Sequence, residues 1–158
     1  MKYTAAILTV SDRCSRGVRE DVTGPALARM LADAGWEIVT TKVVPDEFEV
    51  IKAELVRCSY DLDVCLILTA GGTGFSRRDV TPEATEAVIN RVAPGIPEVM
   101  RAAALRHSPD AMLSRGIAGL RGGTLIINLP GSEVPATSSL AAIINSLKPG
   151  VDRLRRPN

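Results

Sequence analysis

Four short apolar runs, each closed by a polar junction, constrain this chain more than any other feature. Ala5–Val10 ends in Ser-Asp-Arg, Trp36–Val44 in Pro-Asp-Glu, Val64–Ala70 in "GGTGFSRRD", and Gly123–Leu129 in Pro-Gly-Ser. Helical patterns separate the first three runs and follow the last. Strands that alternate with helices build a mostly parallel sheet covered on both faces, because each crossover lays its apolar stripe on the sheet. In such sheets ligands gather at the carboxyl ends of the strands. The four junctions are therefore expected on one rim.

The segments between them read in the same way. "DVTGPALARMLADAGW" sets Leu27, Met30 and Leu31 on one helical face and stops at Gly35. "PDEFEVIKAELVRC" places Phe48, Ile51 and Leu55 at helical spacing, with Asp46 as the candidate N-cap. After the glycine turn, Thr81 as N-cap, Pro82 and Glu83 predict a helix start, and Pro97 with Glu98 in "PGIPEVMRAAALRH" predicts another. "MLSRGIAGL" and "GTLIINL" flank Arg121-Gly122-Gly123 and predict an antiparallel hairpin. "PGSEVPATSSLAAIINSL" opens a last helix, and the tail "KPGVDRLRRPN" is expected as a short cap or frayed end.

Composition narrows the function classes. With 158 residues and no linker or repeat, residues 1–158 are expected to form one domain. Aromatics are 3%, too few for base-stacking platforms, and a formal charge of +1 argues against a nucleic-acid or membrane-surface binder. Any anion site must be local. Cys14, Cys58 and Cys65 have no metal-ligand spacing and His107 is the sole histidine, so thiols and imidazole are expected to be structural. The opening residues do not read as a leader peptide and no apolar run reaches membrane length, so the expected location is the cytoplasm.

The segment "LTAGGTGFSRRDVTPEATEAV" sets Gly71, Gly72 and Gly74 beside Arg77, Arg78 and Asp79. Glycines let main-chain N–H groups approach a phosphate, and the helix start that follows adds partial positive charge. They serve a tight turn equally well. The Gly-Lys-Ser/Thr ending of a P-loop and the third glycine of a dinucleotide fingerprint are both missing.

Together with "LTVSDR", "PGIPEVMR" and "LSRGIAGLRGGTLIINLPGS", this segment resembles the molybdopterin adenylyltransferase family of molybdenum cofactor biosynthesis, to which the G domain of gephyrin is also similar. The resemblance spans nearly the whole chain. It implies a three-layer α/β sandwich with a mostly parallel sheet, one antiparallel strand and helices on both faces, assembled as a homotrimer. The implied reaction moves AMP from the co-substrate ATP to the terminal phosphate of molybdopterin, releasing pyrophosphate, with Mg²⁺ required. Handover of the product to the molybdenum insertion protein is a further implication.

Residue by residue, the resemblance makes Asp46 and Asp79 catalytic and Mg²⁺-positioning. Gly71, Gly72, Thr73 and Gly74 form one implied substrate cradle, and Pro130, Gly131 and Ser132 a second. Ser11, Asp12, Thr81, Glu98, Arg101, Ser114 and Arg115 complete the implied substrate-binding set. After Pro-Gly-Ser many relatives continue with Pro-Lys, whereas this chain has Glu133-Val134-Pro135, so Ser132, Thr137 and Ser138 are the donors left at that loop. On the cradle reading, Gly72→Val is expected to abolish ligand binding more than stability. The competing functional reading is a non-catalytic molybdopterin carrier or scaffold of the same fold.

Overall fold

The computed structural model describes residues 1–157 of the chain. Its six strands are β1 (Thr4–Val10), β2 (Glu37–Val44), β3 (Leu66–Ala70), β4 (Arg91–Val92), β5 (Ala118–Arg121) and β6 (Thr124–Leu129). They form one sheet in the order β2-β1-β3-β6-β5-β4. β2, β1, β3 and β6 pair in parallel, whereas β5 runs antiparallel to both its neighbours, β6 and β4. β4, only two residues long, is too short to have left a periodic signal in the sequence.

The helices are α1 (Asp12–Ser15), α2 (Thr23–Asp33), α3 (Phe48–Val56), α4 (Thr81–Glu86), α5 (Gly95–Leu105) and α6 (Glu133–Leu154), with a π turn at Arg57–Asp61 and a 3₁₀ turn at Pro109–Leu113. Side chains alternate across a strand, so the central strands β1, β3 and β6 each feed two cores. Ile7, Leu66, Leu68 and Ile127 join Leu27 and Leu31 of α2, Met100 of α5 and Leu140, Ile143 and Leu147 of α6 on one face. Leu8, Ile67 and Ile126 meet Ile51 and Leu55 of α3 and Ala84 of α4 on the other. Three layers result. β3 and β6 are buried at every position, as expected of central strands covered on both sides.

Three local expectations are corrected. Asp46 does not cap α3, because that helix starts one residue later than the pattern allowed, after Glu47, and the Asp46 carboxylate turns instead to the Asp12 N–H at 2.9 Å. Thr81 is the first residue of α4 rather than its cap, and its hydroxyl donates to the Gly71 carbonyl at 2.9 Å. The tail is no frayed end: α6 runs through Pro149 to Leu154. A proline inside a helix loses one hydrogen bond and costs about 3 kcal/mol. Here Val151 is fully buried beyond it, and the Arg155 guanidinium donates to the carbonyls of Gly123, Asp63 and Val64 at 2.8–3.0 Å, so tertiary contacts outweigh the break. Asn158, the last residue of that tail, lies outside the described residues.

Candidate functional site

β1 leads to α2 on one face of the sheet and β3 to α4 on the other, so the chain switches sides between these neighbouring strands. A crevice opens at the carboxyl ends of strands at such a switch point. Here it is a cleft of about 330 Å³, lined by Thr9 and Val10 at the end of β1, Ser11 just after it, Asp46 after β2, Gly71–Gly74 and Asp79 after β3, and Gly131 and Ser132 after β6. All four junctions meet there. Cys14 and the segment Arg19–Thr23 form the remaining wall.

The glycine turn is a junction between loops. Gly71 has φ 107° and Gly72 φ 67°, backbone that side-chain-bearing residues rarely adopt. Gly131 comes so close that a Cβ on it would lie 3.2 Å from the Gly71 Cα. A Cβ on Gly72 would lie 2.2 Å from the Thr81 hydroxyl oxygen and 3.1 Å from Asp46 Oδ1. Thr81 is fully buried and cannot yield, so Gly72→Val is expected to damage folding as well as binding. The expectation that binding would suffer more than stability is revised accordingly.

Arg115 holds the turn from outside. Its Nε donates to the Gly74 carbonyl and its Nη2 to the Asp79 carbonyl, both at 2.8 Å, its backbone N–H donates to the Thr73 carbonyl at 2.9 Å, and Nη1 pairs with Glu83. All three of its side-chain nitrogens donate within the protein. The Thr23 hydroxyl likewise donates to the Gly131 carbonyl at 2.8 Å, tying the second cradle to α2.

Two carboxylates line the cleft from opposite loops. Asp79 Oδ2 accepts the Ser76 N–H at 2.9 Å, and Asp46 Oδ2 accepts the Asp12 N–H, which leaves one oxygen of each free for a ligand. Burial pushes the Asp46 carboxyl above the usual aspartate range, and the neighbouring Asp12 and Asp79 charges push it the same way, against the Asp12 N–H bond and Arg78. Asp12 is held below its ordinary value by its hydrogen bonds from Arg78 and the Asp46 N–H. Neither Arg78 nor Arg115 reaches the Asp79 carboxylate: Arg78 takes Asp12, and Arg115 takes the Asp79 main chain.

The remaining implied residues fall in different places. Ser11 lines the cleft while its Oγ accepts the Cys14 N–H at 3.2 Å, capping α1. Asp12 and Thr81 stand behind the lining. Arg101, Ser114 and Pro130 line a separate, largely apolar cavity of about 300 Å³ between α5 and the start of α6, together with His107. Glu98 is exposed and lines neither space. Sequence reasoning missed Asp21, whose Oδ1 accepts the Gly24 N–H and whose Oδ2 accepts the Thr9 hydroxyl on the cleft wall. An Asp three residues before a helical Gly-Pro is a capping signature that would have found it.

The start of α6 faces the same cleft. Ser132 occupies the N-cap position without making a side-chain cap bond, so the first-turn N–H groups keep free donor capacity beside Gly131. Bare glycine backbone and an uncapped helix mouth beside two carboxylates give an α/β cleft with free main-chain donors of the kind that suit an anionic ligand. The family described as the probable molybdopterin binding domain matches residues 6–149, and the chain belongs to it.

Relatives agree. A molybdopterin adenylyltransferase of Helicobacter pylori (strain ATCC 700392 / 26695) is 38% identical over 148 residues, 92% of this chain and 84% of that protein. That of Escherichia coli K12 is 40% identical over 140 residues, 87% of this chain and 71% of that protein. Gephyrin of Dictyostelium discoideum is 39% identical over 156 residues, but the match covers only 22% of that protein. Among solved structures, the molybdopterin biosynthesis enzyme MoaB of Thermus thermophilus superposes with a TM-score of 0.92 at 45% identity, covering 96% of each chain.

Proposed function

We propose that this chain is a molybdopterin adenylyltransferase, one domain spanning residues 1–158, which moves AMP from ATP to the terminal phosphate of molybdopterin. The observation that carries the reading is the facing of Asp46 and Asp79 across a cleft floored by Gly71–Gly74 and closed by the α6 mouth. A passive anion binder gains nothing from two negative charges beside its ligand. An enzyme that joins two phosphates gains a place for a cation.

The donor set suits Mg²⁺, which takes one or two carboxylates and completes its shell with water and substrate oxygens. Among the described residues no group of three or more His, Cys, Asp or Glu could form an all-protein cage, so the substrate phosphates would complete the shell. When bound, Mg²⁺ would offset the repulsion between the two phosphates and the charge that builds on the leaving pyrophosphate. The N–H groups of Gly72, Thr73 and Gly74 and of the α6 mouth hold the phosphates, and the Thr73 hydroxyl adds a donor, while the Gly71 N–H is committed to the Leu129 carbonyl.

No general base is required. A phosphate monoester has a second pKa of about 6 and is largely dianionic at neutral pH. One of its oxygens attacks the α-phosphorus of ATP, a P–O bond forms, and the bond to the β-phosphate bridging oxygen breaks as pyrophosphate leaves with the electron pair. His107, in the other cavity, takes no part.

ATP mixed with the protein and Mg²⁺ is expected to yield pyrophosphate only when molybdopterin is added. Tight molybdopterin binding without pyrophosphate release would establish the carrier reading instead. The proposed assembly is a homotrimer in the cytoplasm, with handover to the insertion protein. Exposed Val99, Met112 and Val134 supply apolar surface for such contacts, and sedimentation at micromolar concentration should give three times the monomer mass. Among the described residues no helix is long and apolar enough to cross a membrane.

A further inference from the structure

We propose that Arg78 is a positioning residue of the transfer site, whose guanidinium fork locks Asp12 and thereby fixes the loop that presents the Asp46 carboxylate to the cleft. The inference rests on the transfer reading for the use made of Asp46, and on hydrogen-bond geometry for the rest.

Arg78 Nε donates to Asp12 Oδ2 and Nη2 to Asp12 Oδ1, each at 3.0 Å, a two-pronged contact across 66 residues of sequence. Asp12 is in turn paired reciprocally with Asp46: its N–H donates to Asp46 Oδ2 at 2.9 Å, and the Asp46 N–H donates to Asp12 Oδ1 at 3.0 Å. The loops after β1, β2 and β3 are thus tied in series. Neither Asp12 nor Arg78 lines the cleft. With its fork committed to a carboxylate behind the lining, Arg78 acts on the site through Asp12, not as a phosphate ligand.

The side chain of Arg78 is 56% exposed and that of Asp12 25%, so the pair adds little to global stability. Its effect is local. Asp12 Oδ1 is shared between Arg78 and the Asp46 N–H, so loss of the fork frees the Asp12 carboxylate to rotate and releases the Asp46 amide. A lysine would keep the charge but not the planar two-donor fit.

The experiment compares Arg78→Gln, Arg78→Lys, Asp12→Asn and the double variant Asp12→Asn with Arg78→Gln. Amide hydrogen exchange at Asp46, which needs no turnover, is expected to accelerate about tenfold or more in Arg78→Gln, with the β3 amides unchanged. The Mg²⁺ concentration for half-maximal pyrophosphate release is expected to rise about 10-fold or more, as for losses of groups that orient metal ligands, while the ATP KM stays within about twofold. Arg78→Lys should recover part of both effects, and the double variant should add nothing to Arg78→Gln. Unchanged Asp46 exchange would overturn the proposal, and so would faster exchange with unaltered Mg²⁺ dependence; a raised ATP KM would make Arg78 a phosphate ligand instead. Absence of transfer in the unsubstituted protein would defeat the functional reading alone, because exchange would still decide whether Arg78 fixes the Asp46 loop.

Discussion

Asp79→Asn is expected to lower adenylyl transfer by at least about 100-fold, roughly 2.7 kcal/mol of transition-state stabilisation, while molybdopterin binding measured without Mg²⁺ stays the same or tightens. The substitution keeps the shape of the side chain. The amide oxygen can still accept the Ser76 N–H, and Arg115 holds the Asp79 main chain, not its side chain, so the loop has no reason to move. What changes is charge. Removing a negative charge cannot weaken an anion's attraction by Coulomb's law unless that charge acts through a cation. It also relieves Asp46, whose ionisation the Asp79 charge opposes. Pyrophosphate release and molybdopterin affinity, each measured with and without Mg²⁺, separate the cases. Near-normal turnover would remove Asp79 from the metal site, and loss of binding in the absence of Mg²⁺ would make it a direct partner of the pterin.

The architecture was open to reading because it rests on local signals. Each apolar run and each junction is contiguous, and the rule that ligands gather at the carboxyl ends of parallel strands converts that order into a rim. What lay hidden depends on partners distant in sequence. Nothing local says that the Arg78 fork reaches back 66 residues to Asp12, or that Arg115 turns its donors onto the Gly74 and Asp79 carbonyls. The tail looked like a short cap or frayed end because the burial of Val151 and the contacts of Arg155 that carry α6 past Pro149 are tertiary. Asp46 looked like a cap for the opposite reason: its spacing fits, but the Asp12 N–H competes for the same carboxylate and wins it.

The glycines of the turn show how far motif reading goes, and Gly71→Ala is the sharpest test of it. Gly71 lies at φ 107°, and a Cβ there would come within 2.2 Å of the Val10 carbonyl oxygen. That carbonyl ends β1, a strand hydrogen-bonded on both sides, so it cannot retreat without opening the sheet. Gly71 is held just as firmly, its N–H donating to the Leu129 carbonyl at 3.1 Å and its own carbonyl accepting from Thr81. Backbone strain of about 1–3 kcal/mol and a clash of similar size should together remove about 4 kcal/mol, a large part of the roughly 5–15 kcal/mol that holds a typical domain. Gly122 supplies the control. It has φ 53° and nothing within 4 Å of a Cβ, so Gly122→Ala should cost only the strain, about 1 kcal/mol. At about 2–4 °C per kcal/mol for a chain of this size, thermal melting should separate the two by roughly 6–12 °C. Equal melting temperatures would mean that the contact with Val10 relaxes, and that Gly71 is a glycine for the sake of the ligand and not of the sheet.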